Sequence, residues 1–565
     1  MPHDDQPLAP TSYSYVTTSI PYVNGAPHVG HAFEDVQADL YARRRRQIGV
    51  DTRLQTGSDD NSLKNVLAAE REGLPTTVLV ERNAALFEAL AATLDVSYDG
   101  FIRTGVDPAH RRGVEMFWRA CLNAGAIYKR RYQGLYCVGC ETFYSPDDLT
   151  PEGLCAEHLV APETIEEDNY FFRLSRYAEP LHDLIATGAL RIVPETRRNE
   201  ALAFIARGLQ DFSISRSAAR ARGWGIAVPG DPTQVVYVWF DALVNYITAL
   251  GYGDPSSDLC ERYWLNANER VHVIGKGILH FHAVYWPAML LAAGEPLPTT
   301  VVVHGYLTVE GRKIGKSLGN AIDPLDLIAR YGVDALRWYV LRDLHPFADG
   351  DVSVTRLVAR YNTDLANGLG NLLNRANAML HRYRDGVVPA PRDLNDIPGI
   401  PAALDALSAL ALKAPAHVAA AFEAFDPRAA LDAVWGFIDA GNALVDEAAP
   451  WSLHRQAREG DAGAGELLDD VLYALLETVR LIAVYLEPFL PAAVRRIATQ
   501  LGAAAPHAAL PYDERVRWGG LVPGARTAAP APVFPRLDEA ALGRGPGGSA
   551  LTGDERPSAR GGDGG

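Results

Sequence analysis

The chain has 565 residues, 48% of them hydrophobic and 22% charged, a balance typical of a globular protein of roughly two to four domains. Its formal net charge of −16 argues against a general nucleic-acid binder, although a local basic groove can sit on an acidic body. No run reaches the roughly 18 apolar residues of a membrane span, the N-terminal MPHDDQPLAP has no leader pattern, and five unevenly spaced cysteines suggest no disulfide framework, so a cytoplasmic protein without membrane contact is expected.

In chain order, Ser14–Ile20 reads as a strand, Val29–Ile48 as a helix and Thr52–Thr56 as a short strand, which predicts a parallel α/β sheet. Arg43-Arg-Arg-Arg46 reads as a solvated helix face. Residues 130–165 are loop-rich and hold three of the five cysteines. The α/β character returns over 233–310, with strands predicted at Val235–Trp239, Val271–Ile274 and Thr300–Val303. From Pro324 to about Leu501 the apolar spacing is helical and rich in Ala and Leu, which predicts a bundle. Its most apolar stretch, Leu472 to Val494, is broken by Glu477, Arg480, Glu487 and two prolines. After about Pro523 Gly, Pro, Ala and Ser dominate, and most of 540–565 reads as disordered.

Three motifs carry chemistry. Cys137-Val-Gly-Cys140 and, after fourteen intervening residues, Cys155-Ala-Glu-His158 form two knuckles that suit a closed, tetrahedral, structural zinc site; the alternative is a loop with unrelated cysteines. His28-Val-Gly-His31 lies between a predicted strand and a predicted helix. There Gly30 permits close approach and the helix N-terminus favours phosphate, although a core or capping pair would read the same way. The stretch GRKIGKSLGN (311–320) ends like a P-loop, but Glu310 stands where its first glycine belongs, and Asp323-Pro324 places the next helix start too late. Lys313 and Lys316, flanked by Gly311, Gly315 and Gly319, instead suggest a mobile cationic loop that closes on phosphates. His280 and His282 are two apart on a predicted helix and do not share a face, which rejects a metal pair.

Taken together, SIPYVNGAPHVGHAF (19–33), TGSDDNSLKN (56–65), the knuckles at 137–158, YVWFDALVNYITALGY (237–252), VIGKGILHFHAVYWPAML (273–290), VHGYLTVEGRKIGKSLGN (303–320), GVDALRWYVLRD (332–343) and RYNTDLANGLGNLLNR (360–375) resemble the methionyl-tRNA synthetases. This is a family of the class I aminoacyl-tRNA synthetases, and the likeness runs in the family's order over roughly residues 13–540. The resemblance implies an α/β Rossmann-type class I catalytic domain (1–120 and 226–323), interrupted by a connective insertion (121–225) whose zinc knuckle spans about 133–165. A stem-contact region (324–365), an α-helical anticodon-binding domain (366–520) and a mostly disordered tail (521–565) would follow.

It also implies ATP-dependent activation of L-methionine to methionyl-adenylate, with magnesium accompanying ATP, and transfer to initiator and elongator tRNA(Met) by a monomer. His28, Gly30 and His31 would meet the ATP phosphates, Lys313 and Lys316 would stabilise departing pyrophosphate, and Ser317 would cap the loop. The methionine pocket would comprise Ile20, Tyr22, Asp59 (toward the ammonium), Trp239, Ala242, Tyr246, Ile278 and His282. Asn371 and Arg375 would hydrogen-bond anticodon bases and Trp451 would stack on one. Cys137, Cys140, Cys155 and His158 would hold zinc.

Departures from the family pattern are Asn61 for His, Ser62 for Gly, Gly277 for the acid of Gly-Lys-Asp, and Ile314 and Gly315 in the lysine loop. Gly277 and Asn61 motivate a second reading, a divergent paralogue that activates methionine or an analogue outside ordinary translation. A non-catalytic tRNA binder is disfavoured, because both histidines and both lysines are present.

Overall fold

The computed structural model describes residues 12–137, 142–144, 149–155, 159–314, 322–393, 397, 401–502 and 510–538. β1 (Tyr13–Thr18), α1 (Val29–Gln47), β2 (Asp51–Ser58), α2 (Leu63–Glu72), α3 (Thr76–Thr93), β3 (Gly100–Arg103) and α4 (Pro108–Asn123) follow the expected alternation. The chain continues through β4 (Ile127–Cys137), β5 (Thr142–Tyr144), β6 (Glu163–Phe172), α5 (Ala178–Thr187), β7 (Arg191–Val193), α6 (Glu195–Ala206), β8 (Phe212–Ser213), β9 (Ser215–Ser217), β10 (Ala227–Val228) and β11 (Asp231–Val236). Through α7 (Val238–Thr248), β12 (Glu269–Gly275), α8 (Trp286–Ala293) and β13 (Thr300–His304) the chain rejoins the first unit.

Six parallel strands lie in the order β3-β2-β1-β12-β13-β7. The register sets Val16 between Leu54 and Val271. Alternation turns these three residues toward Ala38 and Tyr41 of α1, and turns Tyr15, Ile274 and Val301 toward a cluster with α4, α7 and α8. Both faces of the sheet are covered, and β13 carries the continuous apolar run Val301–Val303 that this allows. Connections from β1 run toward β2 and those from β12 toward β13. The carboxyl ends of β1 and β12 therefore flank the crevice where doubly wound sheets bind ligands.

Two expectations change here. Val235–Trp239 is not a strand of this sheet: β11 ends at Val236 in a three-stranded antiparallel sheet, and Trp239 opens α7. Val238 and every residue from Phe240 to Thr248 are buried, so no polar face marks the helix. Strand β7, inside the stretch assigned to the insertion, is the outermost strand of the main sheet.

Beyond β13, β14 (Leu307–Val309) and β15 (Arg312–Lys313) form a hairpin, followed by α9 (Pro324–Tyr331), α10 (Val333–Trp338), β16 (Gly350–Asp351), α11 (Val354–Tyr361) and α12 (Gly370–Arg384). The bundle continues with α13 (Ala402–Glu423), α14 (Pro427–Ala448), α15 (Pro450–Arg458), α16 (Ala462–Leu486), α17 (Pro491–Gln500) and α18 (Tyr512–Arg515). Among the described residues, no helix is long and apolar enough to cross a membrane. Glu477 of α16, fully buried, bonds Arg480 and accepts from the backbone N–H groups of Gly519, Gly520 and Leu521.

Residues 521–538 correct the expected tail. Asn362 exchanges two hydrogen bonds with the backbone of Leu537, Thr527 donates to Asn377, and Phe534 is buried. Side chain-to-backbone bonds hold an extended strap there, which leaves no helical or strand period to read. The stretch 540–565, read as disordered, lies outside the described residues.

Helix α1 joins the two halves. Its Phe33, Val36 and Leu40 share one core with Trp338, Leu404, Phe437 and Leu475. The arginine run is not a solvated face. Arg44, buried, stacks 4.0 Å from the Tyr512 ring and 5.3 Å from Phe422. Arg45 pairs with Glu269 and Glu423, and Arg46 with Asp99. Deepest is Asp39, which meets the fully buried Arg337 of α10 at 2.7 Å. Arg337 also donates to the carbonyls of Phe489, Leu94 and Pro488.

Burial alone would raise the Asp39 carboxyl, but Arg337, then Arg43 and two bonds from Ser97, outweigh it and hold it below the ordinary range. Its contribution is therefore complete above the unfolded value and is lost as pH falls through the folded one. Asp39→Asn is expected to cost about 3–5 kcal/mol at neutral pH, because it leaves Arg337 buried without its counter-charge. In urea denaturation followed across pH, the gap from the unsubstituted chain should narrow below about pH 4.

Candidate active site

His28 is the N-cap of α1. Its Nδ1 accepts from Gly30 N at 3.1 Å, and His31 Nδ1 accepts from His28 N at 3.0 Å. The rings lie 3.9 Å apart. A Cβ at Gly30 would fall 2.9 Å from the His28 ring, so only glycine lets the ring cross the helix start. The capping alternative is thus correct for Nδ1. With both Nδ1 atoms accepting, each neutral ring carries its proton on Nε2. Two imidazole donors and a helix N-terminus with no acid in its first turn are the groups that suit a phosphate.

Glu34, one turn further on, was not anticipated. Its Oε1 accepts from Ser19 N and Oγ at 2.8 and 2.5 Å. Its Oε2 lies 2.8 Å from His304 Nε2, while His304 Nδ1 faces the Gly305 carbonyl. Both His304 nitrogens face acceptors, so the ring ties Glu34 to the backbone at Gly305. Burial, then Glu34 and Asp39, push the Asp35 carboxyl well above the usual range. Nothing in H-x-G-H pointed to Glu34; its partner His304 is distant in sequence.

The predicted amino-acid pocket assembles from three segments. Asp59, buried at the end of β2, bridges to Tyr22, which follows β1. Tyr22 meets Trp239 edge-on at 6.3 Å, and Trp239 stacks on Phe281 at 3.8 Å. Trp239, Ala242 and Tyr246 are spaced to share one face of α7. His282 Nδ1 donates to the Ile278 carbonyl at 3.0 Å, so Nε2, 2.7 Å from Tyr246 Oη, accepts the phenol proton. Burial lowers the His282 imidazole to about 4 and raises the Tyr246 phenol well above its usual range. The Tyr246–His282 pair is therefore uncharged at physiological pH, and this wall suits an uncharged, polarisable side chain. Ile20 lies beside Tyr22 at the end of β1.

Glu310 and Gly311, both at positive φ, turn the β14–β15 hairpin, and Asp351 fixes it by accepting from Gly311 N and Thr308 Oγ1 at 2.8 Å. Lys313 lies on β15 opposite Thr308, while Lys316 and Ser317 fall outside the described residues. Beyond them, the Ile322 carbonyl accepts from Val29 N at 3.2 Å. The lysine segment thus begins at the hairpin and ends on the first turn of the histidine helix.

At the knuckles, Cys137 ends β4 and Cys155 bridges to Leu149; both are buried, and Leu159 N returns to the Cys155 carbonyl at 2.7 Å. Cys140 and His158 lie outside the described residues, and no cluster of three metal-ligating side chains occurs among the described ones. Two buried thiols on tight turns fit half of a zinc set. In the bundle, Asn371 and Arg375 lie one turn apart on α12. Arg375 reaches Asn442 at 3.4 Å and Asp446 at 3.5 Å near the end of α14. The chain turns at Ala449 into α15, where Trp451 is 54% exposed. An exposed aromatic and a tethered guanidinium thus share one end of the bundle.

The family model described as tRNA synthetases class I (M) matches residues 14–161 and 146–377, and the anticodon binding domain of methionyl tRNA ligase matches 403–543. A methionine–tRNA ligase of Synechocystis is 40% identical over 534 residues, covering 93% of this chain and 97% of that protein. One from Mycobacterium tuberculosis is 40% identical over 525 residues, 92% and 97%. The solved M. tuberculosis methionyl-tRNA synthetase in complex with methionyl-adenylate superposes with a TM-score of 0.86 at 39% identity, covering 93% of this chain and all of that one. The chain belongs to the methionyl-tRNA synthetase family. It is a class I methionine–tRNA ligase.

Within the family, Asn61 now has an explanation. Its N–H bonds Asp59 Oδ1 at 3.2 Å, and its amide donates to Asp241 Oδ2 at 2.7 Å. Asp241, buried on α7, also meets His110 Nε2 at 2.5 Å. An amide can thus tie the Asp59 segment to α7 where family members carry an imidazole. Ser62 caps α2 by accepting from Lys64 N. Asn61→Ala is expected to raise the KM for methionine about tenfold, with that for ATP within about twofold, since a hydrogen bond to a charged group is lost. Asn61→His, which keeps a donor, should stay near the unsubstituted enzyme. Steady-state pyrophosphate exchange checks both, and equal changes in the two KM values would deny Asn61 this selective role.

Proposed function

We propose that the crevice between the ends of β1 and β12 carries out both steps of methionine–tRNA ligation. The supporting observation is the backbone bond from Val29 to Ile322, which anchors the chain following the lysine motif on the first turn of the histidine helix. A methionine carboxylate oxygen attacks the α-phosphorus of ATP; a P–O bond forms, the α–β bridge breaks, and pyrophosphate leaves with the electron pair. Asp59 receives the substrate ammonium, and Ile20, Tyr22, Trp239, Ala242, Tyr246, Ile278 and His282 enclose the side chain. His28 and His31 donate through Nε2 to phosphate oxygens, with Gly30 clearing the approach. Lys313 and Lys316 neutralise charge on the departing pyrophosphate, with Ser317 capping their loop. This is positioning and charge stabilisation rather than acid–base chemistry. Magnesium carried by ATP offsets phosphate charge. The ester then forms when a hydroxyl of the 3′-terminal adenosine of tRNA attacks the acyl carbon and AMP departs.

In this reading Cys137, Cys140, Cys155 and His158 hold a structural zinc that cross-links the insertion. Asn371, Arg375 and Trp451 read the anticodon of initiator and elongator tRNA(Met), and the working unit is a cytoplasmic monomer.

Methionine-dependent ATP–pyrophosphate exchange, followed by charging of tRNA with a CAU anticodon, tests the reading. Lys316→Ala should lower the exchange kcat by about 10²–10³, the scale of losing one preorganised charge-stabilising donor, with the KM for methionine little changed. An unaltered kcat would remove Lys316 from the mechanism. Exchange without charging would favour the divergent paralogue. Trp451→Ala should leave exchange intact and raise the KM for tRNA by about 5- to 150-fold, the equivalent of ~1–3 kcal/mol of base stacking.

A further inference from the structure

Gly277 and Tyr306 compete for one space. A Cβ built on Gly277 would lie 1.9 Å from Tyr306 Oη and 3.0 Å from its Cζ. Gly277 is exposed and Tyr306 half-buried, so the contact sits at the mouth of the crevice rather than in a core. Tyr306 is held from three sides. Its backbone N–H donates to Asp349 Oδ1 at 2.9 Å. Lys276 Nζ lies 4.6 Å from its ring centroid and donates to both Asp349 oxygens at 2.7 Å. Gly305, just before it, passes so close to the backbone of Ala348 and Asp349 that a Cβ would fall 2.3 Å from the Ala348 carbonyl. Two of these contacts fix the Tyr306 backbone and the Lys276 ammonium lies over its ring, which together aim the phenol across Gly277.

The rest of the crevice indicates what meets that hydroxyl. Asp59 assigns the ammonium to the side toward β2, α7 with Ile278 and His282 encloses the side chain, and the phosphates lie at the start of α1. The nucleoside is left the ends of β12 and β13, where Gly275 and Gly277 expose bare backbone and Tyr306 supplies a hydroxyl. We infer that Tyr306 positions ATP by hydrogen bonding to its ribose through Oη, and that Gly277 is the residue this arrangement requires. The absence of an acid at 277 is then not a lesion: the polar group at that point comes from the opposite wall. This rests on the reading of the crevice given above.

The test uses the full chain in pyrophosphate exchange. Tyr306→Phe keeps the ring and removes one oxygen. It should raise the KM for ATP about three- to tenfold, the value of one hydrogen bond, with the KM for methionine and the thermal midpoint unchanged. The unsubstituted enzyme should discriminate against 2′-deoxy-ATP or 3′-deoxy-ATP, and Tyr306→Phe should lose that discrimination for one of them, which a packing role alone would not produce. Gly277→Ala should reproduce the ATP effect by displacing the ring, and combining it with Tyr306→Phe should add little. Unchanged ATP kinetics and unchanged deoxy-ATP discrimination in Tyr306→Phe would overturn this assignment alone. No exchange by the unsubstituted chain would overturn the reading of the crevice and this assignment with it.

Discussion

The Asp39 carboxylate meets Arg337 at 2.7 Å in a fully buried setting, and Arg337 spends its remaining donors on three backbone carbonyls. A charge pair so placed has no water to fall back on, so α1 cannot slide without stripping a buried charge of its partner. The arginines of its last turns add stacked and paired contacts to the bundle, and the cations there also complement the helix C-terminus. The same helix begins at His28. The position of the twin imidazoles is therefore set nearly 30 Å of helix away from its far anchor, by ~1.5 Å per residue of rigid rise. This links the bundle, the proposed reader of tRNA, mechanically to the phosphate site.

Charge is divided within the crevice. At the helix start the dipole and the Nε2 donors are positive, and the nearby Glu34 is bonded to His304. On the other side, His282 is kept neutral by burial and its tautomer is fixed by the Ile278 carbonyl. A substrate with an anionic end and an uncharged, polarisable side chain matches this gradient. Glu34 couples the two ends, since its charge acts on both His282 and Tyr246.

Much of this arrangement could be read from the residues in advance. Strands β1, β12 and β13 declared themselves because both sheet faces are covered, and α9 because Asp323-Pro324 is a strong start. The histidine, lysine and cysteine motifs were visible as local spacing. What stayed hidden depends on distance in sequence. Glu34 and His304, Asp39 and Arg337, and Gly277 and Tyr306 each join residues whose partner no local pattern names. Helix α7 was hidden for the opposite reason, since a helix buried almost all round has no period. The strap at 521–538 looked like a tail because its order comes from side chain-to-backbone bonds.

The Tyr246–His282 bond bears on selectivity in the proposed pocket. The phenol proton is committed to His282 Nε2, so the phenol oxygen turns only lone pairs toward a bound side chain. A thioether cannot donate to those lone pairs, whereas a thiol can. Polarity at this point therefore does nothing to reject the thiol analogue homocysteine, and rejection falls to the empty volume left by its missing methyl group. That volume is worth only ~1–3 kcal/mol in an apolar pocket. Removing the phenol would cost the thiol a hydrogen bond that the thioether never makes. Sharper discrimination would have to come from the stacked Trp239–Phe281 wall, whose spacing determines how much empty space the shorter side chain leaves behind.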